Sequence, residues 1–208
     1  TQDDYPNDPD QAFDNFIPFE NAYSSVAFED LWPSRGDYDF NDLVIKANYN
    51  NITNGENKLV KVEMELIVDH IGASFHNGFG IELPVSPSDV QQVTGYNHTD
   101  GLVTVDGKGL ETGQSKAVVI VFDDAFNNNG DTLNVTVEFS TPVNHSLFNQ
   151  EGLNPFIFVN GDRSKEVHLP NKAPIEINHF FAYSTAFCSS FLSVITSKCI
   201  VCPSLLFT

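Results

Sequence analysis

Cysteine is missing from the first 187 of the 208 residues, and Cys188, Cys199 and Cys202 all fall in the last 21. The main body is therefore not a disulfide scaffold. Basic residues are scarce: 10 Lys and Arg stand against 28 Asp and Glu, for a formal charge of −18. A phosphate backbone or an anionic membrane surface would be repelled by that balance, which argues against nucleic-acid binding. It fits cation binding or an extracellular setting where salt screens the charge. The chain opens Thr-Gln-Asp-Asp-Tyr-Pro, without the basic and apolar regions of a signal peptide. It reads as an internal or mature segment.

Catalytic signatures are missing too. His70, His76, His98, His145, His168 and His179 lack zinc-site spacing. There is no G-x-S-x-G elbow, P-loop or dinucleotide fingerprint. Acids are so abundant that a carboxylate pair for glycoside hydrolysis stays open, but no pair stands out by its surroundings. The expectation is a protein that is not an enzyme. His76-Asn77-Gly78 has two readings, a ligand contact and a structural histidine.

No stretch before residue 180 sustains a helical period. Short apolar runs separated by turn residues recur instead, which predicts an all-β antiparallel sandwich or jelly-roll-like fold. Residues 16–32 read as extended. Strands are expected at 43–49 and 58–69, joined as a hairpin by a turn over Asn50–Asn57. Others are expected at 102–106, 116–123 (a central strand buried on both faces), 132–140 and 156–159. The segment 70–85 is apolar but broken by Gly72, Gly78 and Gly80, which signals a bulge or close backbone approach. Residues 86–101 and 107–115 read as connectors. Sequons at Asn51, Asn97, Asn134 and Asn144 point to exposed positions.

Acid density peaks early. Residues 1–42 hold eleven acids and one base, Arg35. Residues 1–15 read as an acidic linker, where Pro6 and Pro9 stiffen a run holding Asp3, Asp4, Asp8 and Asp10. Then Glu29, Asp30, Asp37, Asp39, Asn41 and Asp42 crowd into fourteen positions around the only Trp. Carboxylates this dense repel unless a cation lies among them. In Asp37-Tyr-Asp39-Phe-Asn41-Asp42 the oxygen-bearing residues fall on every second position. Extended geometry would put them on one face, with Tyr38, Phe40 and Leu43 anchoring the other. Hard oxygen donors in number select Ca²⁺, which takes about six to eight of them. The run is not an EF-hand: Asp42 stands where that loop needs Gly, and Asn48 where it needs Glu. A solvated acidic turn is the plainer alternative. A second oxygen-rich loop holds Asp123, Asp124, Asn127, Asn129 and Asp131, again as calcium ligands or ordinary turn residues.

These residues carry a resemblance. AFEDLWPSRGDYDFNDLVI resembles the hallmark of bacterial LruC-type domains and is similar to the F-E-D-L…D-x-D-F-N-D core of a domain of large adhesins. The likeness continues in GASFHNGFGIELPVSPSDV, GQSKAVVIVFDDAF and NPFIFVNGDRSKEVHLPNKAP, so it spans about residues 12–174. DDYPNDPDQAF looks like the end of a thrombospondin-type-3-like calcium repeat. The resemblance implies a secreted or cell-surface protein of Gram-negative type, located outside the cell or at the outer membrane, β-rich and calcium-bound. By position it implies Glu29, Asp30, Asp37, Asp39, Asn41 and Asp42 as ligand candidates. The related adhesin domain implies carbohydrate or another surface ligand as partner. A calcium-stiffened structural spacer is the alternative. The domain is expected over 16–178. Residues 179–208 depart from the family pattern: they lack acids and hold every Cys. They read as a frameshift that truncates the sandwich, or as a genuine divergent tail or anchor. No membrane span is expected in the main domain.

Overall fold

The computed structural model describes residues 2–99, 101–149 and 152–175. The expectations for the tail at 179–208 and for the end of the domain at 178 lie outside the described residues. The described residues form ten strands: β1 (Phe16–Ile17), β2 (Ser24–Phe28), β3 (Leu43–Thr53), β4 (Lys58–His70), β5 (Gly78–Glu82), β6 (Val90–Thr94), β7 (Val118–Phe122), β8 (Thr132–Asn144), β9 (Asn154–Phe158) and β10 (Glu166–His168). All named pairings are antiparallel. One sheet runs β1-β3-β4-β8-β6, with β2 also on β3; the other runs β10-β9-β5-β7. The all-β sandwich expected from the turn-punctuated apolar runs is what forms. No helix among the described residues is long and apolar enough to cross a membrane.

The β3–β4 hairpin forms where the alternation places it, but β3 runs on to Thr53. The expected turn over 50–57 shrinks to the region of Asn54–Asn57. Asn54 Oδ1 there accepts the Glu56 and Lys58 amides at 3.0 Å each. Asn50 and Asn51 continue the strand because both have partners inside. Asn51 Nδ2 donates to the Phe148 carbonyl at 2.7 Å, and Asn50 Nδ2 to Asp14 at 2.6 Å. The sequon residue Asn51 is thus buried, contrary to the exposure expected of it. In β4 the inward residues are Leu59, Val62, Met64, Leu66 and Val68. The three-residue step from Leu59 to Val62 breaks a strict period of two; the register against β8 shifts between Leu59 and Lys61, and a bulge resets which side faces the core.

Three strand expectations are corrected. Residues 102–106 form no strand, only an isolated bridge of Val105 with Glu111. The supposed connector 86–101 contains β6, whose Val90 and Val93 are buried against β8. β7 is buried throughout yet lies at the end of its sheet. Its outer edge is covered: the Asn97 amide donates to the Val121 carbonyl, the Glu111 amide to the Val118 carbonyl, and His98 Nε2 lies 2.7 Å from the Ile120 carbonyl. A strand covered in this way needs apolar side chains on both faces.

The second sheet is enclosed on its outer side too. Val118, Ile120, Phe156 and Phe158 pack with Ile175 and Val103. The Arg163 guanidinium lies 5.1 Å from both the Phe156 and Phe158 ring centres. Arg163 pairs with both Glu111 oxygens and with Glu166 at 2.6–2.8 Å, and His168 Nε2 lies 2.9 Å from Glu166. The glycine signal at 70–85 is explained here. A Cβ on Gly78 would fall 1.9 Å from Phe158 Cζ, and one on Gly80 2.6 Å from Phe156 Cζ. The register also shifts between Phe79 and Gly80.

Two outcomes are expected. Gly78→Ala lowers stability by about 2–3 kcal/mol through overpacking, while Gly55→Ala, which meets nothing within 4 Å, leaves the thermal midpoint in place. Burial alone would raise the Glu166 carboxyl, but the His168 hydrogen bond and the Arg163 charge outweigh it and hold the group below its ordinary 4.5. Such a carboxylate stabilises the fold above its unfolded value and loses that contribution as pH falls through the folded one. Glu166→Gln is expected to cost about 3–5 kcal/mol at neutral pH and to flatten the loss of stability between pH 5 and 3, read by denaturant melts.

Candidate metal centre

β2 ends at Phe28, opposite Leu43 at the start of β3, so residues 29–42 form one long connection between two paired strands. Its neck is closed by polar bonds. The Asp30 amide donates to Asp42 Oδ2 at 2.7 Å, and the Gly72 amide lies 3.0 and 3.2 Å from the Asn41 and Asp42 carbonyls. Asp30 is held from below by Asn77, whose Nδ2 donates to Asp30 Oδ2 at 2.9 Å. The Asn77 carbonyl receives the Ala125 amide, and its Oδ1 receives the Asn160 amide. Segments before β5, after β7 and after β9 thus support one end of the sandwich.

At that end Glu29, Asp37 and Asp39 each place a carboxylate oxygen within 4.8 Å of the others. Asp37 and Asp39 are exposed, but Glu29 is only 2% exposed, and its Oε2 has no hydrogen-bond partner among the described residues. Gly36 permits this approach, since a Cβ there would fall 2.0 Å from Glu29 Oε1. Burial raises the Glu29 carboxyl above its ordinary value; Asp42, Asp37 and Asp39 add to this, and the Phe40 backbone N–H opposes it. The Asp30 carboxyl is raised chiefly by burial, with Asp42 adding and the Asn77 hydrogen bond opposing. Among the described residues no Lys, Arg or His forms an ion pair with Glu29, Asp30, Asp37, Asp39 or Asp42.

The expected alternation does not create this group. Tyr38 and Phe40 have φ of 58° and 53°, in the left-handed region that bulky residues rarely enter. The segment is therefore not extended. Tyr38 and Phe40 do not anchor it either: they are 47% and 49% exposed, while Leu43 alone is buried. Of the six candidates in this stretch, Glu29, Asp37 and Asp39 come together. Asp30 and Asp42 lie buried beside them, bonded across the neck. Asn41 turns its amide onto Asp39 at 2.6 Å.

Among the described residues the second loop brings no comparable group of three acids together. Asp123 accepts from the Thr99 amide at 2.8 Å. Asp124 caps the short 3-10 turn at Ala125–Asn128 and lies 2.8 Å from His76 Nδ1. Asp131 is exposed, and its carbonyl accepts from Val68. The early aspartates serve turns as well. Asp3 receives the Tyr5 amide, Asp8 the Asp10 amide and Asp4 the Asp14 amide. Gly72 is the close backbone approach that the glycine pattern signalled, meeting Asn41, but its role in this connection, that of Asn77, and Gly36 altogether were not revealed by the sequence. Single Asn and Gly residues carry no spacing signal, and only their folded neighbours give them a role.

A family model described as a domain of unknown function (DUF4842) matches residues 57–186, which is 130 of the 208 residues. No curated protein and no solved structure matches the chain. Asn77 and Asp124 lie inside the matched span; the acidic connection 29–42 lies before it.

Glu29→Gln removes a buried, unpaired charge. In EDTA it is expected to stabilise the protein by about 1–3 kcal/mol, raising the thermal midpoint in a calorimetric scan.

Proposed function

The chain belongs to the DUF4842 family, and we propose that it is a calcium-binding, non-enzymatic module of the LruC type, secreted or held at a bacterial cell surface. One observation carries this reading: the buried Glu29 carboxylate, one oxygen of which has no hydrogen-bond partner among the described residues, comes within 4.8 Å of the carboxylates of Asp37 and Asp39. A carboxylate so placed is costly unless a cation meets it. The donors are all hard oxygens, with no sulfur or imidazole among them, which suits Ca²⁺. Three carboxylates more than neutralise a divalent ion, and water fills the remaining coordination positions. Asp30 and Asp42 add negative potential beside the group.

The surroundings support a ligand-binding role in adhesion. Leu31, Tyr38, Phe40 and Phe126 are apolar residues 40–49% exposed on the connections at this end of the fold. Exposed aromatic rings beside a calcium ion with open positions are suited to a hydroxyl-rich ligand such as a carbohydrate. The ion would take the hydroxyls and the rings the apolar face.

Calcium at about 100 times its dissociation constant stabilises by about 2.7 kcal/mol. For a chain of this size that raises the thermal midpoint by about 5–11 °C over EDTA. Asp37→Asn with Asp39→Asn abolishes the shift. An EDTA-insensitive melt sinks the calcium reading. Glycan-array binding that appears only with calcium supports the adhesion role, and its absence from every glycan leaves the calcium-stiffened spacer.

A further inference from the structure

Surface loops ordinarily turn acids outward and apolar side chains inward. The connection between β2 and β3 does the opposite. Leu31, Tyr38 and Phe40 are 40%, 47% and 49% exposed, while Glu29, Asp30 and Asp42 are buried. Left-handed backbone at Tyr38 and Phe40 accompanies this inversion: both rings stand in solvent while the flanking Asp37 and Asp39 approach Glu29. The neck is well tied, through the Asp30 amide on Asp42 and the Gly72 amide on Asn41. The tip is not. Trp32 anchors its start, with its amide on the Glu29 carbonyl at 3.2 Å and its half-buried side chain packed against the core; beyond it the ties are the Asn41 amide on Asp39, the Phe40 N–H acting on Glu29, and the edge contact of Trp32 with Tyr38 at 6.2 Å. Three carboxylates oppose those ties, one of them with an unpartnered oxygen.

We propose that calcium is the switch that keeps this loop inside out. Bound, it holds Asp37 and Asp39 against Glu29 and so displays Tyr38 and Phe40. Released, it lets the tip of residues 33–40 leave this conformation, while the tied neck, the Trp32 anchor and both sheets stay in place. The inference rests on the calcium reading and adds local control to it: the ion governs whether an apolar surface is presented. Repulsion among the acids drives the opening, and the left-handed backbone at Tyr38 and Phe40 relaxes with it.

The chain carries its own reporters. Trp32 is its single tryptophan and lies in the loop, and Arg35 is the only Lys or Arg before Lys46. Trypsin cleavage between Arg35 and Gly36 tracks the population of the open loop. In EDTA that cleavage is expected to run at least about tenfold faster than in calcium, with a shift in Trp32 emission. Far-UV circular dichroism stays unchanged, and the strand sites Lys46 and Lys61 stay intact. Glu29→Gln makes both reporters indifferent to calcium. If calcium raises the melting temperature but changes neither the Arg35 cleavage rate nor Trp32 emission, the switch is overturned and the calcium reading stands. If EDTA exposes Lys46 and Lys61 together with Arg35, the ion supports the whole fold and the local switch is overturned. If calcium changes neither the melt nor the reporters, the calcium reading itself fails.

Discussion

Glu29 sits one residue beyond the end of β2 and is 2% exposed, with acidic neighbours and no cationic one among the described residues. Its burial follows from the strand before it. β2 pairs with β3 from Ser24 to Phe28, and Phe28 packs edge-on against Phe79 of the opposite sheet. The next residue therefore emerges into the end of the core rather than into water. Everything around it accommodates that charge: Gly36 makes room, Asn77 satisfies Asp30, and Gly72 closes the neck.

The two ends of the charge inventory are handled differently. On the outer face of the second sheet, Glu111 and Glu166 share Arg163, and Glu166 also meets His168. Each carboxylate oxygen of that network meets a donor within the protein. Buried charges of this kind are tolerated when paired and hydrogen-bonded. At the Glu29 end the described residues supply amides and N–H groups but no cation. The contrast within one molecule separates a charge network met by its own side chains from the cluster on which the calcium proposal rests.

The second acidic loop shows the same residue types in other company among the described residues. Asp123 and Asp124 are as buried as Glu29, yet their oxygens meet the Thr99 amide, the Phe126 amide and His76. Aspartate is both a calcium ligand and a turn residue. In sequence the two uses look alike, and the partners that distinguish them come from β6–β7 connections and the segment before β5.

Much of the fold was legible in the chain. Alternation at Leu59–Leu66 and at Leu133–Val137, and the continuous apolar run at Val118–Phe122, determined strands and which faces they bury, because side chains alternate across a pleated sheet. The failures at 90–94 and 102–106 have one cause. Short runs such as Val-Gln-Gln-Val-Thr and Leu-Val-Thr-Val-Asp have similar local propensity, and the partner strand decides between them. β8 was there to pair with the first, while the second meets Glu111 at a single bridge. The acidic connection was likewise visible as a dense set of oxygens, and that density pointed to a cation. Tertiary structure decided which of them converge. Left-handed turns at Tyr38 and Phe40 and the supports from Gly72 and Asn77 select Glu29, Asp37 and Asp39. A cation site is defined by convergence in space, and convergence here depends on backbone torsions and on neighbours thirty or more residues away.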